Sequence, residues 1–339
     1  RNAAIISEFV ARTAWVEFLA RVPETRSNTS ACLRIVDAQV LALPPKLRAW
    51  LPVEVPSGTG ARAIKKVFEL LAGKDSRPVA SRDEALRRRG KLLALLIEAR
   101  QALAIAKAPA TLDFVRGAID QGEKVIVFSC FDDPIQKLAM ELCQTALVVT
   151  GKTPAAMRQS LVDRFQSDDD VRVFVANIIA GGTGLNLTAA TQVIFNDLDW
   201  VPTNHWQAED RAYRIGQTRT VNVTYFVARD TIDDFVQAVL EAKAALVNAI
   251  VDGGALAPGS GGDVLDELQR VLHAISGGGD VAAEYGDDAA LISQLMRRAS
   301  DEFRTMHGVD PQRRPTLRGE REVQALARAL EALVKVLSG

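Results

Sequence analysis

The stretch Gln207-Ala-Glu-Asp-Arg211-Ala-Tyr-Arg214-Ile-Gly-Gln217 gathers two guanidiniums and an amide at helical spacing. With Thr203 as N-cap, a helix over 204–214 puts Gln207, Arg211 and Arg214 at i, i+4 and i+7, on one face. Such a face suits an anion with many acceptor oxygens, such as a triphosphate. The plainer alternative is a solvated face on which Glu209 and Asp210 pair the arginines. Trp200 and Trp206 flank this segment. Core packing is the default for both, and stacking on a base or an adenine is the functional alternative. His205, at the helix start, reads as a capping or surface residue rather than a catalytic one.

A second candidate is Ala180-Gly-Gly-Thr-Gly-Leu-Asn-Leu-Thr188, which follows an apolar run at 171–176. Three glycines within four residues let a backbone approach a ligand closely, although a tight connecting loop needs them too. Thr150-Gly151-Lys152-Thr153 imitates a P-loop. The full pattern requires glycine at 146, where this chain has Ala146, so a nucleotide kinase built on Lys152 is disfavoured. Asp168-Asp169-Asp170 reads as a solvated turn, and no metal site is expected there. Cys32, Cys130 and Cys143 form no ligand spacing, which argues against zinc and disulfides and for a reducing compartment.

The elements that must hold these residues follow from periodicity. Short apolar runs at 125–129, 147–150, 171–176, 193–196 and 221–227 lack strand-like polar alternation and are separated by amphipathic segments. That pattern predicts a parallel sheet covered on both faces, an α/β domain. Asp133-Pro134 and Thr153-Pro154 read as N-cap and first helical residue. In the second of these helices Met157, Leu161 and Phe165 form one buried stripe. Helices are expected over 61–73 and 82–107, with prolines breaking 41–60 into extended pieces. The basic run Arg87-Arg88-Arg89-Gly90-Lys91 lies in the second helix. The expected organisation is a connection at 1–45, a helical lead-in at 46–107, the α/β domain at 108–252, a Gly-rich linker at 253–263 and a helical accessory region at 264–339.

The chain has 339 residues and a formal net charge of −1, so it is not expected to coat nucleic acid indiscriminately, although a local basic groove is compatible with it. No run matches a membrane span or a signal peptide. Arg1-Asn2-Ala3 carries no initiator Met, which suggests a fragment of a longer chain.

Taken in order, Lys124-Val-Ile-Val-Phe-Ser129, Thr150-Gly151, Arg158, Phe165, Gly181-Gly-Thr-Gly-Leu-Asn-Leu187, Asp199-Trp-Val-Pro202 and Gln207…Asp210-Arg211…Arg214-Ile-Gly-Gln217 resemble helicase motifs IV, V and VI. The series is similar to the second RecA-like lobe of Swi/Snf-type ATPases of helicase superfamily two, over roughly residues 100–250. Leu43-Pro-Pro-Lys46 looks like the chain leaving a first lobe.

The resemblance implies an ATP-driven double-stranded-DNA translocase with a cytoplasmic, nucleoid or nuclear location. It implies arginine fingers at Arg211 and Arg214. Gln207, Asp210, Gly182 and Gly184 are expected on the nucleotide side, and Ser129, Thr183 and Trp200 on the DNA side. Mg²⁺ ligands and the Walker lysine are expected on a first lobe, in cis or in trans, so this chain alone would not hydrolyse ATP efficiently. The alternative is a non-catalytic DNA- or protein-binding module derived from such a lobe. Ile179 and Asn177 depart from the family pattern, which usually has a basic residue and Ser or Thr at these positions.

Overall fold

A computed structural model describes residues 43–71, 82–181, 185–251, 268–272, 274 and 289–309. Pro45–Leu246 and Ala257–Pro315 form one compact unit, which contains the elements below except the last turn of one helix. The other unit, Arg1–Pro44, Val247–Leu256 and Thr316–Gly339, lies almost wholly outside the described residues. So do Gly182, Thr183 and Gly184, the linker at 253–263 and the helix expected at 319–337.

In chain order the elements are β1 (Lys46–Val53), α1 (Ala61–Leu71), α2 (Arg82–Asp120), β2 (Val125–Ser129), α3 (Asp132–Glu141), β3 (Ala146–Val149), α4 (Ala155–Ser167), β4 (Val173–Asn177), α5 (Ile178–Gly181), β5 (Gln192–Phe195), α6 (Pro202–Glu209), β6 (Val221–Ala228), α7 (Ile232–Val251) and α8 (Ala289–Met306). The six strands form one sheet in the order β1-β6-β5-β2-β4-β3, and every pairing is parallel.

The sheet is buried on both faces, which is why its central strands read as unbroken apolar runs. Ile126, Phe128, Phe174, Ala176, Val193 and Phe195 belong to one core. Their alternate neighbours Val125, Val127, Val173, Val175 and Ile194 belong to a second. Period-two geometry sends these two sets to opposite sides. α1, the first half of α2, α4, α7 and α8 supply the first core. The second half of α2 and α3 supply the other. Phe303 of α8 packs edge-on against Phe235 of α7, at 5.4 Å between centroids.

One aromatic row crosses four strands. The register puts Trp50 opposite Tyr225, Tyr225 opposite Phe195, and Phe195 opposite Phe128. Their ring centroids are 4.5, 4.7 and 5.4 Å apart. This row runs beneath α6, the helix that precedes the arginines.

Several local expectations are corrected. The segment 46–107 opens with strand β1 rather than with helix only, and it joins the edge of the sheet. Pro52 is tolerated there because an edge strand need not donate on its outer side. α2 runs on to Asp120, through Pro109. α3 starts one residue before Asp133, with Phe131 at the N-cap. The Asp133 carboxylate instead accepts a bond of 2.6 Å from Gln101 Nε2. α4 has Pro154 at the N-cap, and Thr153 Oγ1 accepts the Thr150 N–H across the preceding turn. Met157 is 54% exposed, so the buried stripe of α4 is Val162 and Phe165, with Leu161 packed beside it.

Candidate nucleotide and DNA site

The arginine segment starts on the loop after β5. Asp199 Oδ1 accepts the Val201 N–H at 2.8 Å and Asn204 Nδ2 at 3.1 Å, which turns the chain into α6. Pro202, not Thr203, opens the helix, where its fixed φ and missing N–H cost nothing. The helix ends at Glu209, five residues earlier than the spacing predicts. Arg211 and Arg214 therefore lie on a turn after α6, not on a continuous face with Gln207. Gly216, at φ +99°, closes that turn in a conformation that favours glycine.

The helix stops where its acidic residues are drawn sideways onto β1. Arg48 grips Glu209 with Nε at 2.8 and 2.9 Å from the two carboxylate oxygens and Nη2 at 2.5 Å from Oε2. Lys46 Nζ lies 3.0 Å from Glu209 Oε2 and 2.8 Å from Asp210 Oδ1. The Tyr225 hydroxyl also donates to Glu209. Burial alone would push the Glu209 carboxyl up, but Lys46, Arg48 and the hydrogen bonds from Arg48 and Tyr225 hold it down at about 2. Both acidic residues are thus held by β1, Glu209 fully buried and Asp210 partly exposed.

The turn is fastened on its other side by Gln217. Its Nε2 lies 3.0, 3.0 and 3.1 Å from the carbonyls of Thr188, Ala190 and Ala212. Its Oε1 accepts the N–H groups of Thr218 and Arg219. Leu187 N–H donates to the Arg211 carbonyl at 2.8 Å, which ties the turn to the chain following the glycine-rich segment. Arg214 is exposed and its Nη1 reaches the Leu185 carbonyl at 3.4 Å. Arg211 is partly buried, and its pKa is lowered by burial and by the neighbouring Arg214, with Asp210 offsetting part of this. Gln207 is exposed on α6.

His205 is a core residue, contrary to the capping or surface expectation. It is 2% exposed, and its ring meets Phe195 and Tyr225 edge-on at 4.9 and 5.5 Å. Nε2 accepts the Asp199 N–H at 3.2 Å, so the ring is neutral, and burial depresses its pKa to about 4.

The residues expected on the DNA side are placed differently from one another. Ser129 ends β2 but is only 1% exposed, and its hydroxyl donates to Asp197. Asp197 Oδ1 also accepts the Cys130 N–H at 2.8 Å, so the pair shapes the turn leaving β2. Trp200 is partly buried against the first core, with the Arg100 guanidinium 4.9 Å from its ring. Asn177 accepts the N–H groups of Ile179 and Ala180 and donates to the Cys130 carbonyl, so it organises the entry to the glycine-rich segment. Lys152 is exposed and pairs with Asp132 at 3.2 Å. Asp168 accepts Arg164 and its own turn's Asp170 N–H. Among the described residues no group of three or more His, Cys, Asp or Glu could hold a metal ion, and no helix is long and apolar enough to cross a membrane.

A parallel sheet sheathed on both faces, with an arginine-bearing turn between α6 and β6, is the fold of a RecA-like lobe. Residues 106–216 match the helicase conserved C-terminal domain. The chain is 32% identical over 226 residues to the DNA annealing helicase and endonuclease ZRANB3 of Bos taurus, covering 65% of this chain and 20% of the relative. It is 37% identical over 131 residues to the ATP-dependent helicase FUN30 of Saccharomyces cerevisiae, covering 38% of this chain and 12% of that one. The Sulfolobus solfataricus SWI2/SNF2 ATPase core domain superposes with a TM-score of 0.50 at 26% identity, covering 62% of this chain and 45% of that one. The C-terminal part of the Fun30 ATPase domain shares the fold, with a TM-score of 0.50 at 20% identity and coverage of 67% and 97%. This part of the chain has the fold of a second RecA-like lobe and is similar to those of Swi/Snf-type ATPases. The chain spans about a fifth or less of the length of these curated relatives.

Proposed function

We propose that this lobe works with a first RecA-like lobe as an ATP-dependent double-stranded-DNA translocase, with Arg211 and Arg214 as its arginine fingers. The observation that carries this reading is the arginine turn itself. It bears two neighbouring guanidiniums, while Glu209 and Asp210 are engaged by Lys46 and Arg48. Two guanidiniums on one turn match the donor chemistry that a triphosphate needs. Arg214, on the exposed side, would approach the γ-phosphoryl oxygens and stabilise the charge that spreads over them during transfer. Arg211, set deeper, would hold the same phosphates in line. Gln207 and Asp210 complete the nucleotide side, together with Gly182 and Gly184. Walker-type phosphate binding and the Mg²⁺ ligands would come from the first lobe.

On the DNA side, Thr183 and the glycine-rich segment would track a phosphate backbone, with Trp200 flanking it. A contact from Ser129 requires Asp197 to release its hydroxyl. The test is to join or mix this chain with a matching first lobe and measure ATP hydrolysis with and without duplex DNA. DNA-stimulated turnover is expected only in the presence of both lobes. Binding of DNA without any turnover would instead assign the chain to the non-catalytic modules.

A further inference from the structure

We propose that Lys46 and Arg48 of β1 are positioning residues that clamp the arginine turn in place. This rests on the reading of Arg211 and Arg214 given above. The clamp grips the turn on both sides of Arg211. Arg48 holds Glu209 through a two-pronged bond, Lys46 bridges Glu209 and Asp210, and the Lys46 ammonium sits 4.8 Å over the Tyr213 ring.

Glu209 and Asp210 immediately precede Arg211, so a hold on their carboxylates fixes the path of the chain into the turn. β1 supplies that hold through two cations. Its parallel register beside β6 puts Lys46 opposite Val221 and Arg48 opposite Val223. Tyr225, two residues further along β6, completes the hold on Glu209. Arg is suited to the buried, planar contact with Glu209, and Lys to the point-like bridge between two carboxylates.

The clamp also makes the turn's amides measurable. Those of residues 210–213 donate to the carbonyls of Trp206, Ala208 and Glu209. Lys46→Met keeps the apolar stem and removes the ammonium. In the isolated chain, hydrogen exchange of amides 210–213 is expected to accelerate at least tenfold in Lys46→Met, with β2, β4 and β5 unchanged. In the protein paired with its first lobe, the kcat for ATP hydrolysis is expected to fall at least tenfold with KM for ATP altered less than twofold. Lys46→Arg, which keeps the charge, should recover at least half of the kcat.

Unchanged exchange in the turn, or acceleration spread equally over the whole sheet, overturns the clamp. So does a normal kcat in Lys46→Met when Arg214→Ala abolishes turnover. If Arg214→Ala leaves turnover unaffected, the arginine-finger reading fails by itself, and the exchange measurement still decides whether β1 holds the turn.

Discussion

Replacing His205 with glutamine should flatten the acid limb of this protein's stability profile. In the fold His205 is neutral, because its Nε2 accepts the Asp199 N–H and its ring is enclosed by Phe195 and Tyr225. Burial lowers its pKa from the ordinary 6.5 to about 4. A depressed histidine pKa favours the neutral form in the folded state. Its contribution is therefore complete above 6.5 and is lost as pH falls through 6.5 towards 4. At about 1.36 kcal/mol per pKa unit, the full effect is about 3 kcal/mol, most of which has gone by a pH of about 4.5.

Glu209 acts in a lower window. Its carboxyl is held down at about 2, so its contribution is present above the ordinary 4.5 and fades only as pH falls from there towards 2. At a pH of about 4.5 little of it has been lost, so the histidine dominates above that point. Glutamine can accept the same N–H without titrating. The assay is urea unfolding followed by tryptophan fluorescence, for both proteins, at a series of pH values. The stability of the wild type relative to the variant should fall by about 2–3 kcal/mol between about pH 7.5 and 4.5, because groups common to both cancel. Parallel profiles would refute the burial argument.

Other perturbations test the scaffold behind the site. Lys107 is fully buried, with Nζ 2.5 Å from Asp233 Oδ2 and 3.1 Å from the Phe226 carbonyl. Lys107→Met strands that carboxylate and should destabilise the fold by about 3–5 kcal/mol, with partial recovery on adding Asp233→Asn, as read by urea midpoints. Gln217→Leu leaves the carbonyls of Thr188, Ala190 and Ala212 without their shared donor. It should cost about 1–3 kcal/mol and raise proteolytic cleavage within 210–216. Phe165→Ala, beside Phe174 and fully buried, should cost about 3–5 kcal/mol by thermal or urea unfolding.

The parallel sheet was legible because buried central strands need apolar residues on both faces. The runs at 125–129 and 193–195 show this most clearly. β1 was legible only as an extended piece and not as part of the sheet, because its less exposed side carries Lys46 and Arg48 while Leu47, Ala49 and Leu51 face outward, and because Pro52 mimics a breaker. The arginines were legible through the order of several segments rather than through local periodicity. Helical spacing over-extended α6 because it carries no information about Arg48 and Lys46, which lie some 160 residues earlier and hold Glu209 and Asp210. His205 was misplaced for a similar reason. Its enclosure comes from Phe195 and Tyr225 on two different strands, and nothing adjacent in sequence signals that. Thr153 and Asp133 are typical cap residues, but each found a different partner across its turn or on α2.

The most direct test of the central claim is the turnover of Arg214→Ala in the protein paired with its first lobe. DNA-stimulated kcat should fall by a factor of about 10³ or more, judged from arginine-finger effects on phosphoryl transfer. Hydrolysis at the unmodified rate would contradict the role given to the turn.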